Sequence, residues 1–182
     1  MIASPEGTTL LGIRRLSGAE LPGHLPSLVR LLRDTVNGGS PLGFLPPLTE
    51  EAAGGYWLSL RPELYSGVRL LLTANTARGV IGSAQLALAT MPNGRHRAEV
   101  QKLFVAPIAR GQGIGRALMS RLHEVARDRG RTLLLLNTRA RGAAEQFYRR
   151  LGYKEAGLVP GWSVGPSGER YDHVRLYREL TA

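Results

Sequence analysis

The chain contains no cysteine. Disulfides, a thiolate nucleophile, zinc ribbons and cysteine-ligated iron–sulfur clusters are excluded together, and a reducing compartment, the cytoplasm, is the expected location. Lysine is nearly absent too. Only Lys102 and Lys154 occur, so the 24 basic residues are almost all arginine, against 14 acidic ones. The resulting formal net charge of +10 suits an anionic partner, either a phosphate-rich cofactor or a nucleic acid. The same arginine excess also follows from a G+C-rich genome, so composition leaves both readings open. Long apolar runs are missing: Leu133–Leu136 is far short of the roughly 18 residues a membrane helix requires. Met1-Ile2-Ala3-Ser4-Pro5-Glu6 has neither the basic nor the apolar region of a secretory signal, and none is expected.

What remains is ordinary globular composition, 182 residues with 43% hydrophobic and 21% charged, enough for one domain over 1–182. Residues 8–16 are strand-compatible. Leu25, Leu28, Val29, Leu32 and Val36 recur at helical spacing with Pro26 in the first turn, and Asn37-Gly38-Gly39-Ser40-Pro41 ends that helix. Thr49 is a reasonable N-cap for a helix over 49–60, with Glu50 and Glu51 complementing its dipole. Strands are predicted at 68–73, 80–90 and 98–105, with a turn at 75–79 and a hairpin-type turn at Pro92-Asn93-Gly94, giving an antiparallel meander. The period then changes. Ile114, Ala117, Leu118, Leu122, Val125 and Ala126 mark one face of a helix that ends at Gly130. A buried strand at 133–138, a helix at 143–151 and two strands at 153–164 and 171–178 complete the order β-α-α-β-β-β-α-β-α-β-β. The fold class is α/β (α+β-like), with a mixed, mostly antiparallel central sheet flanked by helices.

The most informative segment is Val100-Gln101-Lys102-Leu103-Phe104-Val105-Ala106-Pro107-Ile108-Ala109-Arg110-Gly111-Gln112-Gly113-Ile114-Gly115-Arg116. A strand runs into a glycine-rich turn that opens an amphipathic helix. Glycines at 111, 113 and 115 permit positive φ and close backbone approach, and the free N–H groups of the helix start converge on an anion, with Arg110 and Arg116 bracketing the turn. The spacing is neither a Walker A loop, which needs Gly-Lys-Ser/Thr, nor the Gly-x-Gly-x-x-Gly dinucleotide fingerprint. It argues for phosphate binding by a third design, beside the plainer reading of a glycine-rich loop before a surface helix.

Arg110-Gly111-Gln112-Gly113-Ile114-Gly115, following a strand that ends in Val105-Ala106-Pro107, resembles the acetyl-CoA-binding motif of the GCN5-related N-acetyltransferases (GNAT). Ala144-x-x-x-Tyr148-x-x-x-Gly152-Tyr153 is similar to a second motif of that superfamily, and the element order fits it over nearly the whole chain. Segments 34–40, 43–48, 52–57 and 157–162 resemble the tabtoxin-resistance branch, whose members acetylate small molecules.

The resemblance implies a GNAT-like fold, acetyl-CoA as cofactor, and a cofactor site at Leu103, Phe104, Val105, Arg110, Gly111, Gln112, Gly113, Ile114, Gly115 and Arg116. It implies that strand 99–105 bulges and splays from strand 133–138, with the pantetheine arm in the gap against backbone at Leu103 and Val105. It also implies Tyr148 as the general acid that protonates the departing thiolate. Strand alternation puts Glu99 and Gln101 on one face, which makes Glu99 the candidate general base. Asn137 stands where the branch often carries Asp; an amide can orient substrate but cannot act as a base. Phe44, Tyr56 and Trp57 are candidate walls of the acceptor site, and Arg127, Arg129, Arg131, Arg149 and Arg150 are candidates for the 3′-phosphate of coenzyme A.

Other chemistries fare worse. His24, His96, His123 and His173 are scattered without metal-ligand spacing, so no metal site is expected, and no Gly-x-Ser-x-Gly elbow exists. The expected function is direct acetyl transfer to a small-molecule amine, an antibiotic or toxin among the options, by a monomer or homodimer without nucleic-acid or membrane partners. Three alternatives stay open: a protein N-terminal or lysine acetyltransferase, a basic nucleic-acid-binding module, and a coenzyme A-binding regulator without catalysis.

Overall fold

The structure, a computed structural model, describes residues 10–40 and 42–180. Among these residues seven strands form one sheet in the order β1-β2-β3-β4-β5-β7-β6, built from β1 (Gly12–Leu16), β2 (Arg69–Thr76), β3 (Gly79–Leu88), β4 (Arg97–Val105), β5 (Leu133–Arg139), β6 (Lys154–Val164) and β7 (Arg170–Glu179). Every pairing is antiparallel except β4 with β5. Among the described residues five helices accompany it: α1 (Leu21–Asn37), α2 (Glu50–Ser59), α3 (Arg61–Ser66), α4 (Ile114–Asp128) and α5 (Ala143–Arg150). The expected mixed, mostly antiparallel α/β architecture is present, with one helix more than the sequence reading held.

Each face of the sheet has its own core. On one, Leu118, Met119 and Leu122 of α4 and Tyr148 of α5 pack on Leu72, Leu86, Val100, Leu134 and Leu176. On the other, Leu28, Leu32 and Val36 of α1 and Trp57 of α2 pack on Leu16, Leu71 and Phe104. The Trp57 indole N–H donates to the Leu28 carbonyl at 3.0 Å, which satisfies its polar handle in the core. Thr49 caps α2 as its sequence suggests, its Oγ1 accepting from Ala52 N at 3.1 Å.

The helix expected from residue 25 begins a turn earlier. Ser17 and Glu20 bond reciprocally, Ser17 N to Glu20 Oε2 at 2.9 Å and Glu20 N to Ser17 Oγ at 3.3 Å, a capping box that launches α1. Pro22 therefore occupies the first turn and Pro26 lies inside the helix. Strand β1 is described from Gly12, and residues 8 and 9 of the expected strand lie outside the described residues. The hairpin-type turn expected at Pro92-Asn93-Gly94 is a short 3-10 turn joining the antiparallel pair β3 and β4. In β5, Leu134 and Leu136 are buried while Leu133 and Leu135 are half-buried, so the strand alternates and is not buried on both sides.

Two irregularities in β4 position the site. It pairs with β5 only over Arg97–Glu99, against Leu133–Leu135, and the strands separate beyond that point. Its register against β3 also shifts, with Gln101 opposite Gln85 and Phe104 opposite Ser83, and Lys102 in that bulge has φ +48°. A bulge of this kind adds a residue and reverses the side-chain alternation downstream. Ala98, Val100, Leu103 and Val105 consequently belong to the α4/α5 face. Phe104 belongs to the α1/α2 face.

Candidate active site

The turn between β4 and α4 has the geometry its glycines suggest, with one correction. Gly111 and Gly113 lie in the left-handed region at φ +77° and +78°, and a Cβ at either would meet nothing within 4 Å. Gly115 does not share that conformation. It sits in the first turn of α4, where a Cβ would touch the Phe147 ring at 3.6 Å, so its smallness serves helix–helix packing. Gly113 is the N-cap and supplies no side-chain cap, nor is there an acidic residue in the first turn of α4. The first amide groups of this helix are thus left for an anion. Gln112 is exposed, while the Ile114 side chain is buried in the core, so only the Ile114 backbone can serve a ligand.

The flanking arginines part company. Arg110 folds back along the end of β4, its Nε donating to the Val105 carbonyl at 3.3 Å and its Nη2 to Ser40 Oγ at 3.2 Å. Arg116 instead lines a cleft of about 350 Å³ on the flank of α4, with Ser120, His123, Glu124, Arg127 and Arg178, three arginines against one carboxylate. This cleft continues the positive lining away from the turn and holds neither Glu99 nor Asn137. His123 is buried within it, beside the Tyr153 hydroxyl at 3.1 Å, and burial with Arg178 and Arg127 nearby drops its pKa to about 4. Of the arginines suggested for a 3′-phosphate, Arg149 is held by Glu145 at 2.7 Å and Glu155 at 2.5 Å, and Arg131 reaches the Ala89 carbonyl at 3.4 Å.

The three residues singled out for chemistry lie on opposite faces of the sheet. Tyr148 belongs to the α4/α5 core, against Tyr153 and Phe147 with ring centroids at 5.7 and 5.3 Å. Among the described residues its hydroxyl has no hydrogen-bond partner, and burial raises its pKa above the ordinary phenol value. Glu99 and Asn137 lie on the other face. Glu99 accepts from Arg175 Nη1 at 2.6 Å and from Gln101 Nε2 at 3.4 Å. Arg175 is the β7 partner of Asn137, so its side chain reaches across β5 to the carboxylate. Asn137 is exposed.

Sequence reasoning missed most of the polar floor on that second face. Arg69 bonds Glu63 at 2.7 Å, Gln101 Oε1 at 2.7 Å and Gln85 Oε1 at 3.1 Å. Gln85 in turn donates to the Tyr56 hydroxyl at 2.9 Å. Burial pushes the Tyr56 pKa up to about 12. Phe44 and Tyr56 meet edge to face at 5.3 Å and are partly buried against the α1/α2 core, whereas Trp57 is wholly core. Phe104 is core as well, which leaves only its backbone for a ligand.

Residues 68–155 match the acetyltransferase (GNAT) domain family. The IAA acetyltransferase of Azospirillum brasilense is 34% identical over 129 residues, covering 70% of this chain and 77% of that protein. The chain belongs to the GNAT acetyltransferases. Acetyl-CoA is the acetyl donor of this family, and the uncapped helix start, the open glycine turn and the parted strands are features that fit it. An uncharacterized N-acetyltransferase of Methanocaldococcus jannaschii is 44% identical over 70 residues, but that match spans only 30% of the archaeal protein. Two solved GNAT structures extend the likeness across the sheet. The ribosomal-protein-alanine N-acetyltransferase of Brucella melitensis superposes with TM-score 0.75 at 28% identity, over 93% of this chain and 100% of that one. The phosphinothricin acetyltransferase of Sinorhizobium meliloti, in complex with acetyl-CoA, superposes with TM-score 0.73 at 25% identity, over 93% and 88%. Among the described residues no helix is long and apolar enough to cross a membrane, and no cluster of metal-ligating side chains occurs.

Proposed function

We propose that the protein transfers an acetyl group directly from acetyl-CoA to the amine of a small molecule, with both substrates bound together. The carrying observation is the parting of β4 from β5 beyond Glu99, with Tyr148 on one face of the sheet and Glu99 and Asn137 on the other. Acetyl-CoA supplies an activated thioester. The amides of Gly113, Ile114 and Gly115 bind its pyrophosphate, and Arg116 adds charge from the adjoining cleft. Beyond Glu99, β4 has no strand partner on its β5 side, which leaves backbone at Leu103, Phe104 and Val105 to hold the pantetheine arm and polarise the thioester carbonyl. The Tyr148 hydroxyl, kept protonated by burial, gives its proton to the departing thiolate sulfur. Glu99 takes the proton from the attacking amine, directly or through water, while Arg175 fixes the carboxylate and Asn137 orients the acceptor. With no cysteine in the chain, no thiol is available for an acetyl-enzyme, in keeping with a single direct transfer.

Within the family we place the chain by the tabtoxin-resistance branch, on segments 34–40, 43–48, 52–57 and 157–162. The relatives named for IAA and phosphinothricin support a small-molecule acceptor. The loop before α2 and α2 itself, which bring Phe44 and Tyr56 together, also favour a walled acceptor site over an open peptide groove. Thermal unfolding with acetyl-CoA at a hundredfold over Kd should show about 2.7 kcal/mol of stabilisation, a rise of roughly 5–10 °C. Acetylation of an amine panel, with alanine-terminated peptides included and Tyr148→Phe as the blank, then tests the transfer. Turnover confined to the peptides would overturn the small-molecule reading.

A further inference from the structure

Lys102 is one of only two lysines in the chain, and several unusual features converge on it. It occupies the β4 bulge at φ +48°, a conformation that L-residues rarely adopt and that the β3–β4 register shift imposes. Its ammonium reaches the loop before α2, where Nζ donates to the Leu42 carbonyl at 2.5 Å. Leu42 is itself held at φ +50°. The next residue, Gly43, comes so close that a Cβ would stand 3.2 Å from Nζ, so glycine keeps the space beside the ammonium clear. The rings of Phe44 and Tyr56 complete the surroundings, with centroids 5.2 and 5.6 Å from Nζ.

The charges facing this ammonium are already committed. Arg69, whose field lowers the Lys102 pKa after the larger effect of burial, is paired with Glu63. Arg175 is paired with Glu99. Among the described residues no carboxylate approaches Lys102, whose hydrogen-bond partner is a neutral carbonyl. A cation partly stripped of water and given rings and one carbonyl in place of a counter-ion lacks part of its compensation. None of Lys102, Phe44 and Tyr56 is fully buried, so the site can be reached. It lies on the Glu99 and Gln101 face, within roughly 10 Å of strand from Glu99.

We propose that Lys102 is a specificity-determining residue that takes the carboxylate of the acceptor, so that the substrate class is an amine bearing a carboxylate. This rests on the acceptor face assigned above. The amine would lie at the gap near Glu99 and Asn137, with the carboxylate at Lys102 and the intervening apolar part against Phe44 and Tyr56.

The two-lysine composition supplies a direct test. Protein labelled with ¹³C-lysine gives one set of side-chain signals from Lys102 and one from Lys154, assigned by Lys154→Met. With coenzyme A bound, as verified by thermal shift, it is titrated with the α-amino acids, β-alanine and 4-aminobutyrate, each beside its amide. At least one acid should shift the Lys102 Cε signal saturably while its amide does not. A Lys102 signal that moves for none of the acids, or equally for acid and amide, overturns the proposal, whether or not any compound is turned over. For a compound that is acetylated, the acid-over-amide ratio of kcat/KM should collapse at least tenfold in Lys102→Met and stay unchanged in Lys154→Met. A ratio that survives Lys102→Met overturns the assignment and leaves the ammonium as a staple for the loop before α2. Loss of the thermal shift with coenzyme A would instead count against the donor site.

Discussion

Glu99 and Arg175 form an ion pair of 2.6 Å between strands that are not neighbours, because β5 lies between β4 and β7. The guanidinium, from the β7 partner of Asn137, therefore reaches across β5 and holds the carboxylate at the point where β4 and β5 part. Both side chains are about one-third exposed, at 33% and 32%, so the pair contributes at most about 1 kcal/mol to folding. Its weight falls on placement. Arg175→Met should leave the melting temperature within a few degrees and acetyl-CoA binding unchanged, while kcat/KM for the acceptor drops about tenfold or more. Melting curves beside steady-state kinetics decide it. An unaltered kcat/KM would remove Arg175 from the site.

Tyr148→Phe keeps the ring in its core and removes only a hydroxyl that has no hydrogen-bond partner among the described residues. Stability and acetyl-CoA affinity should hold, and kcat should fall by about 10²-fold or more, the usual worth of a positioned general acid. A variant that retains wild-type kcat would mean that the thiolate leaves unassisted or is protonated by water.

The glycine turn makes a contrasting pair. Gly113→Ala introduces no clash but forces φ +78° on an L-residue, a cost of roughly 1–2 kcal/mol, and should weaken acetyl-CoA binding by distorting the helix start. Gly115→Ala places its methyl at ordinary contact with Phe147 and gains helix propensity, so the fold should be as stable or up to about 1 kcal/mol more so. Calorimetric titration with acetyl-CoA and melting of both variants test the contrast. Equal destabilisation by the two would contradict it.

His123 predicts an acid-side weakness. Its pKa is about 4 in the fold, held down by burial, Arg178 and Arg127, against an ordinary value near 6.5. The unfolded chain thus binds a proton that the folded chain resists, so the contribution of His123 is complete above pH 6.5 and is lost as pH falls from there through 4. The slope should be worth on the order of 2 kcal/mol across that window, after allowing for solvent screening beside the cleft. Urea melts at stepped pH should show this slope, and His123→Gln should flatten it. An unchanged slope would assign the acid sensitivity elsewhere.

Much of this architecture was open to reading before any coordinates. The helical period of Ile114, Leu118, Leu122 and Val125, the Thr49 cap and the glycine turn act over a few residues, where steric and hydrogen-bonding rules are local. α3 escaped because six residues carry too little period to register. The early start of α1 escaped because Pro26 drew the boundary towards itself, although Ser17-x-x-Glu20 was there to be recognised as a capping box.

By itself the sequence determined the absence of thiol chemistry, the order of nearly all the elements, the glycine turn before α4 and the likeness that named Tyr148 and the family. The tertiary structure alone decided which side chains face one another across the sheet. Glu99 and Arg175 are 76 residues apart, and Lys102 and Leu42 are 60 apart. The bulge that turns Lys102 onto the face of Glu99 and Gln101 exists only because β3 fixes the register of β4. Periodicity describes one segment at a time; a cleft between parted strands is a property of the pairings that stop.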